Sequence, residues 1–377
     1  MVLRHLYIHV PFCLRRCSYC DFAVQPTRRP AIDEWVEAIT TELRLARTAE
    51  GWPESMRLDT LYVGGGTPSL MGEGTMGKLG DMLGRTGQLE VSVEWTAEAN
   101  PESLTERLAA DWRTAGVNRI SLGVQSFEAA ALRWMGRLHG ADGARVAMRA
   151  ARSAGFTDVN VDLIFGLPEH LGRDWSADLE RALELEPEHV SLYGLTAESG
   201  AALGRWVTHG RAIMPADETY AAEYLTAVRV LTEAGFDHYE VSNFARPGHE
   251  SRHNQAYWTG APYLGLGPGA HSFHPPERFW NVRDWKRYRE LLADGILPRE
   301  GREQPDRAAS TLEHLWLGLR TRSGARLPDR TRAVERTVRQ WQTAGWAKAD
   351  EETIRLTAEG WLRLDQLAIE LDAAATA

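Results

Sequence analysis

Two residue types are scarce in this chain of 377 residues, and each scarcity excludes something. Cysteine occurs three times, all between positions 13 and 20. An odd, clustered set does not read as a disulfide framework; it reads as a metal site. Lysine occurs only at 78, 286 and 348, so the basic charge is almost all arginine, and no function follows from that. The formal net charge of -9 excludes a nucleic-acid footprint spread over the whole surface. Long apolar runs are also missing: no stretch approaches the length of a membrane span. Arg4, His5 and His9 interrupt what would have to be a signal core, so a soluble, cytoplasmic protein is expected. With 43% hydrophobic and 25% charged residues, the chain suits two or three domains with a large core.

What is present is a repeated strand-helix pattern. Short apolar runs lie at 6–10, 61–63, 91–97, 120–124, 159–165 and 190–195, each ending in polar or glycine-rich sequence. Between them, Ile32, Trp35, Val36, Ile39 and Leu43 share one helical face, as do Leu104, Leu108 and Trp112, with Ser103 placed as an N-cap. Six such units predict parallel strands with right-handed crossovers in an α/β partial barrel, a (β/α)6 arrangement over residues 1–210. Chemistry in such folds sits at the carboxyl ends of the strands. There the chain carries Gly64-Gly65-Gly66-Thr67-Pro68, Glu98-Ala99-Asn100-Pro101 and Gln125, and Asp162 is expected at the same end.

After about residue 210 the pattern changes. A helix is expected over 217–234, then an aromatic, Gly/Pro-rich stretch over 238–276, so that 211–304 reads as a connecting region. Residues 305–377 read helix, helix, two short strands around an acidic turn, then helix, a smaller winged-helix-like α+β domain. From Pro305 onward there are eleven basic and eleven acidic residues, which favours a packing module over a DNA-binding one. Nucleic acid is not an expected partner.

The cysteines are spaced C-x3-C-x2-C, at Cys13, Cys17 and Cys20. Three thiolates from one short loop can hold three irons of a cubane, and the chain has no fourth cysteine to close it. A structural zinc site with His5 or His9 as fourth ligand competes with that reading, as do three unligated thiols.

C-x3-C-x-aromatic-C after a first strand, with a glycine motif after the second, resembles the radical S-adenosylmethionine (SAM) superfamily. Tyr7-Ile8-His9-Val10-Pro11-Phe12-Cys13, Gly64-Gly65-Gly66-Thr67-Pro68, Gly123-Val124-Gln125-Ser126-Phe127 and Asp162-Leu163-Ile164-Phe165-Gly166-Leu167-Pro168 are similar to oxygen-independent coproporphyrinogen III oxidase and its relatives. The likeness covers essentially the whole chain. It implies a [4Fe-4S] cluster on Cys13, Cys17 and Cys20, with SAM chelating the open iron. By the same resemblance Tyr7 would contact SAM near the cluster and Tyr19 would lie against its adenine. Gly65, Gly66 and Thr67 would receive its amino group, and Arg137 its carboxylate, where a planar fork suits bidentate contact. Glu98, Gln125 and Asp162 would bind the amino group or the ribose hydroxyls.

Within this family two branches separate. The oxidases carry a further cysteine two residues after the third cluster ligand, where this chain has Phe22, and a long extension before the cluster motif, where Cys13 follows only twelve residues. Both departures argue against porphyrinogen decarboxylation. The chain resembles instead the HemW-type branch, the haem chaperones, which carry Cys-Asp-Phe here and a His-Asn-x-x-Tyr-Trp motif, present as His253-Asn254-Gln255-Ala256-Tyr257-Trp258. The resemblance implies haem as a bound group with His253 as its axial ligand, His249, His271 and His274 being rivals, and haem-acceptor proteins as partners. A homodimer and a peripheral membrane contact are compatible with such a carrier. A porphyrinogen oxidase or dehydrogenase is the alternative, and the cluster and SAM can gate haem release without turnover.

Overall fold

A computed structural model describes residues 3–50, 57–85, 92–329 and 331–376. The chain falls into two compact units, Met1–Pro215 with Pro262–Glu303, and Ala216–Ala261 with Gln304–Ala377.

The first unit opens with six parallel strands and their crossover helices. β1 (His5–Val10) leads through the cysteine loop to α1 (Ile32–Glu50), and β2 (Thr60–Gly65) to α2 (Thr75–Arg85). β3 (Glu94–Ala99), α3 (Glu106–Ala115), β4 (Arg119–Gln125), α4 (Ala129–Met135), α5 (Gly143–Ser153), β5 (Val159–Phe165), α6 (Trp175–Glu184), β6 (His189–Gly194) and α7 (Ala202–Thr208) follow. The strands lie side by side in chain order, the expected partial barrel. Val91, the start of the third expected run, lies outside the described residues.

Each strand alternates with period two, which sends successive side chains to opposite faces. Leu6, Ile8, Leu61, Val63, Ile120 and Leu122 are buried apolar residues of the helix-covered face. The other face is polar, with Tyr7 and His9 on β1, Tyr62 on β2, Glu98 on β3, Ser121 and Gln125 on β4, Asn160 and Asp162 on β5. On α1, Trp35, Ile39, Leu43 and Ala46 are buried along one stripe. The cap of α3 differs from expectation: Thr105, not Ser103, accepts from the Leu108 amide. Ser103 is instead held by Ser69 Oγ at 2.6 Å and the Asn100 carbonyl at 3.2 Å.

The region 211–304 does not form a unit of its own. Its first part contributes α8 (Asp217–Glu233), the hairpin β7 (Asp237–Glu240) and β8 (Asn243–Ala245), and α9 (Arg252–Trp258) to the second unit. The chain then gives β9 (Tyr263–Leu266), β10 (His271–His274), β11 (Glu277–Asn281), α10 (Trp285–Ala293) and β12 (Arg299–Glu303) to the first unit. β9 runs parallel to β1, Leu6 opposite Leu264 and Ile8 opposite Leu266, and β10 to β12 extend the sheet antiparallel. These strands are short and rich in histidine, glycine and aromatics, so the apolar runs that marked the first six are absent.

The second unit is completed by α11 (Arg307–Leu319), β13 (Ala325–Arg326), α12 (Arg332–Thr343), β14 (Ala347–Ala349), β15 (Thr353–Leu356), α13 (Ala358–Trp361) and α14 (Leu364–Thr376). Its three short strands pair antiparallel in the order β13-β15-β14, matching the expected winged-helix-like order. The two sequence segments of this unit are joined by His238, stacked on Phe244 at 3.9 Å and edge-on to Trp361 at 4.3 Å. Arg322 adds pairs to Asp237 (2.8 Å) and Glu250 (3.0 Å).

Within the first unit, Glu42 of α1 ties the helix to the added strands. It accepts from the Gly267 amide at 2.8 Å, from Asn281 Nδ2 at 2.5 Å and from the Tyr288 hydroxyl. Burial pushes its carboxyl up to about 7 despite these donors. The folded state therefore holds this proton more tightly than the unfolded chain does. Its contribution is full below the ordinary carboxylate range and is lost as pH rises through about 7. Glu42→Gln should flatten that dependence: the parent should lose up to about 3 kcal/mol more than the variant between roughly pH 5 and pH 8. Urea unfolding across that range measures it, and parallel curves for the two proteins would refute it.

Candidate cofactor site

The cysteine loop leaves the end of β1 and is closed by a two-residue parallel pairing of Phe12–Cys13 with Gln25–Pro26. Its outer arc is pinned by backbone contacts: the Ser18 amide donates to the Met135 carbonyl at 3.3 Å, and the Leu203 amide to the Ser18 carbonyl at 2.8 Å. Arg15 Nε donates to the Gly136 carbonyl at 2.5 Å. Cys13, Cys17 and Cys20 are partly buried free thiols. Burial pushes Cys13 up to about 12, opposed by the Thr67 hydroxyl, and Cys20 and Cys17 add to the rise. The three sulfurs thus share one electrostatic neighbourhood.

Neither histidine is placed to complete a Cys3His zinc site. His9 Nδ1 meets the Tyr7 hydroxyl at 3.0 Å and Nε2 the Ala23 carbonyl at 2.9 Å, while His5 Nδ1 meets Thr60 Oγ1 at 2.9 Å at the far end of β1. Among the described residues no group of three or more His, Cys, Asp or Glu side chains converges as on a single ion. Burial lowers His9 to about 4, so its imidazole is neutral.

The glycine motif after β2 lies against this loop. The Gly66 amide donates to the Val10 carbonyl at 2.7 Å and the Thr67 amide to the Phe12 carbonyl at 2.8 Å. A Cβ on Gly66 would stand 2.6 Å from both carbonyl oxygens, so only glycine fits. Gly65 has φ +102°, and a Cβ there would lie 2.3 Å from the His9 ring. Thr67 Oγ1 donates to Cys13 Sγ at 3.3 Å.

The polar face of the barrel carries the remaining expected residues. Glu98 accepts from the Gly65 amide at 2.9 Å and the Tyr62 hydroxyl at 2.8 Å; burial, with Asp162 adding to it, pushes its carboxyl up to about 7. Asp162 is pushed up to about 6 by burial, although Asn160 (2.7 Å) and Ser121 (3.1 Å) donate to it. It sits inside β5, with three strand residues beyond it, rather than at the strand end. Tyr7 lies 6.1 Å, ring to ring, from Tyr62. Gln125 ends β4 with φ 71°, a left-handed conformation rare outside glycine, and its Oε1 is buried without a partner among the described residues. Arg137 Nη2 donates to Asn100 Oδ1 at 2.8 Å and to the Gly123 carbonyl, and its Nε is likewise orphaned. Tyr19 packs, partly buried, on the apolar cluster of Leu132, Met135, Leu167 and Leu203.

His253 belongs to the second unit. It is buried in α9, its Nε2 2.8 Å from the Tyr257 hydroxyl and the two rings edge to face at 5.0 Å. One face of Trp258 is taken by the Arg320 guanidinium, 4.3 Å over it and 4.7 Å from Trp316. Of the rival histidines, His249 lies in the second unit and His271 and His274 in the first. His271 stacks on Trp280 at 5.8 Å.

An open parallel barrel with a three-cysteine loop after its first strand and a glycine turn against that loop defines a radical SAM protein, and residues 7–182 match the family model of the Radical SAM superfamily. The solved structure of coproporphyrinogen III oxidase (HemN) from Escherichia coli, described as a radical SAM enzyme, shares the fold, with a TM-score of 0.81 and 22% identity over 98% of this chain and 90% of that one. The heme chaperone HemW of Mycobacterium tuberculosis is 41% identical over 334 residues, 88% of this chain and 85% of the relative. That of Bacillus subtilis is 34% identical over 323 residues, 85% of this chain and 84% of the relative. The chain belongs to the HemW heme chaperone family.

Reading the sequence missed Asn100, Glu102 and His139 as parts of this site. Asn100 belongs to the segment Glu98-Ala99-Asn100-Pro101, but its bonds to Thr67 and Arg137 span 33 and 37 residues. Only the fold brings them together.

The packing of the glycine turn is testable without cofactor. Gly66→Ala should cost about 1–3 kcal/mol, because backbone must shift. Gly77→Ala on α2, where nothing lies within 4 Å of the added Cβ, should be neutral or stabilise by up to about 1 kcal/mol. Denaturant unfolding compares the two; equal effects would show that the Gly66 contact yields easily.

Proposed function

We propose that this protein binds haem and passes it to acceptor proteins, carrying a [4Fe-4S] cluster on Cys13, Cys17 and Cys20 with SAM at the open iron. The observation that favours a carrier over a porphyrinogen oxidase is Phe22. It stands where the oxidases have a further cysteine, and the residue is 60% exposed beside the cluster loop. The residues present fit both the cluster and SAM. Three thiols share one neighbourhood, and two buried polar atoms, Gln125 Oε1 and Arg137 Nε, lack partners among the described residues. When bound, such a cluster would supply one electron to SAM, and the pair would supply radical chemistry. In this reading Arg137 takes the SAM carboxylate, Gly65, Gly66 and Thr67 its amino group, and Tyr7, Tyr19, Glu98, Gln125 and Asp162 surround the rest.

Haem is assigned to the second unit, with His253 as axial ligand through a neutral imidazole. Coordination through Nε2 requires its hydrogen bond to Tyr257 to be given up, so the Tyr257 hydroxyl guards the ligand. No helix among the described residues is long and apolar enough to cross a membrane. A cytoplasmic carrier acting without nucleic acid completes the proposal, and a homodimer and a peripheral membrane contact are compatible with it.

Anaerobically reconstituted protein should hold about four irons per chain, and Ala at any one of Cys13, Cys17 or Cys20 should abolish this. Stoichiometric zinc without iron would overturn the cluster. Arg137→Ala should keep the iron and weaken SAM binding by about 1.5–3 kcal/mol, read by equilibrium dialysis.

His253→Ala should lose haem or shift its absorption spectrum while iron and SAM binding stay intact, and the parent should not convert coproporphyrinogen III anaerobically with SAM and reductant. An unchanged haem spectrum would move the ligand elsewhere. Clear turnover would make the protein an oxidase.

A further inference from the structure

Between the glycine turn and Arg137 lies a further group of polar side chains, Asn100, Glu102 and His139. Asn100 follows the end of β3, and its amide bridges two parts of the site. Oδ1 accepts from Arg137 Nη2 at 2.8 Å, while Nδ2 faces Thr67 Oγ1 at 3.4 Å and Glu102 Oε1 at 3.3 Å. The orientation is fixed by chemistry: guanidinium can only donate and carboxylate only accept. Because Asn100 fills the acceptor side of Thr67, the single hydroxyl proton of that residue is left for Cys13 Sγ, 3.3 Å away.

Beside Glu102 lies His139, whose side chain is 1% exposed. His139 Nδ1 lies 3.4 Å from Glu102 Oε2 and Nε2 3.0 Å from the Val124 carbonyl. The Nε2–H bond to the Val124 carbonyl fixes the ring, which packs beside the carboxylate behind Asn100. The chain of contacts runs from His139 through Glu102 and Asn100, then branches to Arg137 and to Thr67 with Cys13.

We propose that Asn100 is a positioning residue that sets the Arg137 guanidinium and the Thr67 hydroxyl proton in one arrangement, joining the SAM-carboxylate clamp to a cluster ligand, with Glu102 as its support. The Arg137 branch rests on the SAM reading above; the Thr67 branch rests only on the cluster.

Two measurements on anaerobically reconstituted protein separate these. In the first, Asn100→Ala should weaken SAM binding roughly tenfold, the size of one charge-assisted hydrogen bond, with iron content unchanged. Asn100→Asp, which keeps the acceptor for Arg137, should stay within about threefold of the parent. In an Arg137→Ala background the Asn100→Ala loss should shrink to below about threefold, since the two act through one contact. A full tenfold loss in both backgrounds, no loss in the parent background, or no rescue by Asp would overturn the Arg137 branch. An Arg137→Ala variant with parental SAM affinity would instead sink the SAM reading at that residue, and this branch with it.

The second measurement needs no SAM. Hydrogen bonds to cluster sulfurs raise the reduction potential, so Asn100→Ala should move the midpoint negative by freeing the Thr67 proton to turn away. Thr67→Val should give a shift of the same sign, and adding Asn100→Ala to it should change nothing further. An unchanged potential in Asn100→Ala, or additive shifts in the double variant, would overturn the Thr67 branch.

Discussion

The backbone at Gly66 lies against the backbone of Val10 and Phe12 too closely to admit a side chain, and most of the site follows from that contact. Two amide-to-carbonyl bonds there join the end of β2 to the first residues of the cysteine loop. They carry Thr67 to Cys13 and the Gly65 amide to Glu98. A methyl group on Gly66 would part the two strand ends, and with them the cysteine loop from the polar face of the barrel.

The polar interior around this contact carries ionisable groups under strong burial. Glu98 and Asp162 are both pushed up, each partly held down by donors, while Arg137 is drawn further into its charged form by Tyr19, Cys17 and Glu102 despite its own burial. A barrel whose inner face is polar and whose outer face is apolar places such groups out of water without exposing the helix-packing surface. The cost is a set of incompletely partnered atoms, of which Gln125 Oε1 and Arg137 Nε are two. Unpartnered buried atoms are expensive, and a polar ligand relieves them.

The second unit is built on a different principle. Aromatic rings and arginines hold it: His238 between Phe244 and Trp361, Arg320 between Trp258 and Trp316, with Glu240 the counter-charge 4.0 Å from Arg320. Burial lowers His238 to about 3, so its ring is neutral and packs as an aromatic. The motif helix α9 sits in this environment, and one face of its Trp258 packs on the Arg320 guanidinium.

The sequence by itself determined the six strand-helix units, the three-cysteine loop, the glycine turn and the family, because each is written in neighbouring residues: period-two and period-3.6 patterns and short motifs. It also displayed Glu98 and Gln125 at strand ends. Tertiary structure alone decided which distant segments meet. The run 238–276 divides between two units because β9 finds β1 as a parallel partner, a pairing with no signal in its four residues. Asp162 lies inside its strand, and Thr105 takes the cap expected of Ser103, because register and competing hydrogen bonds settle such one- and two-residue choices. Asn100, Glu102 and His139 became visible only once β3, β4 and α4 were side by side. A hydrogen bond is decided by a few tenths of an ångström between residues tens of positions apart, and that distance exists only in the folded chain.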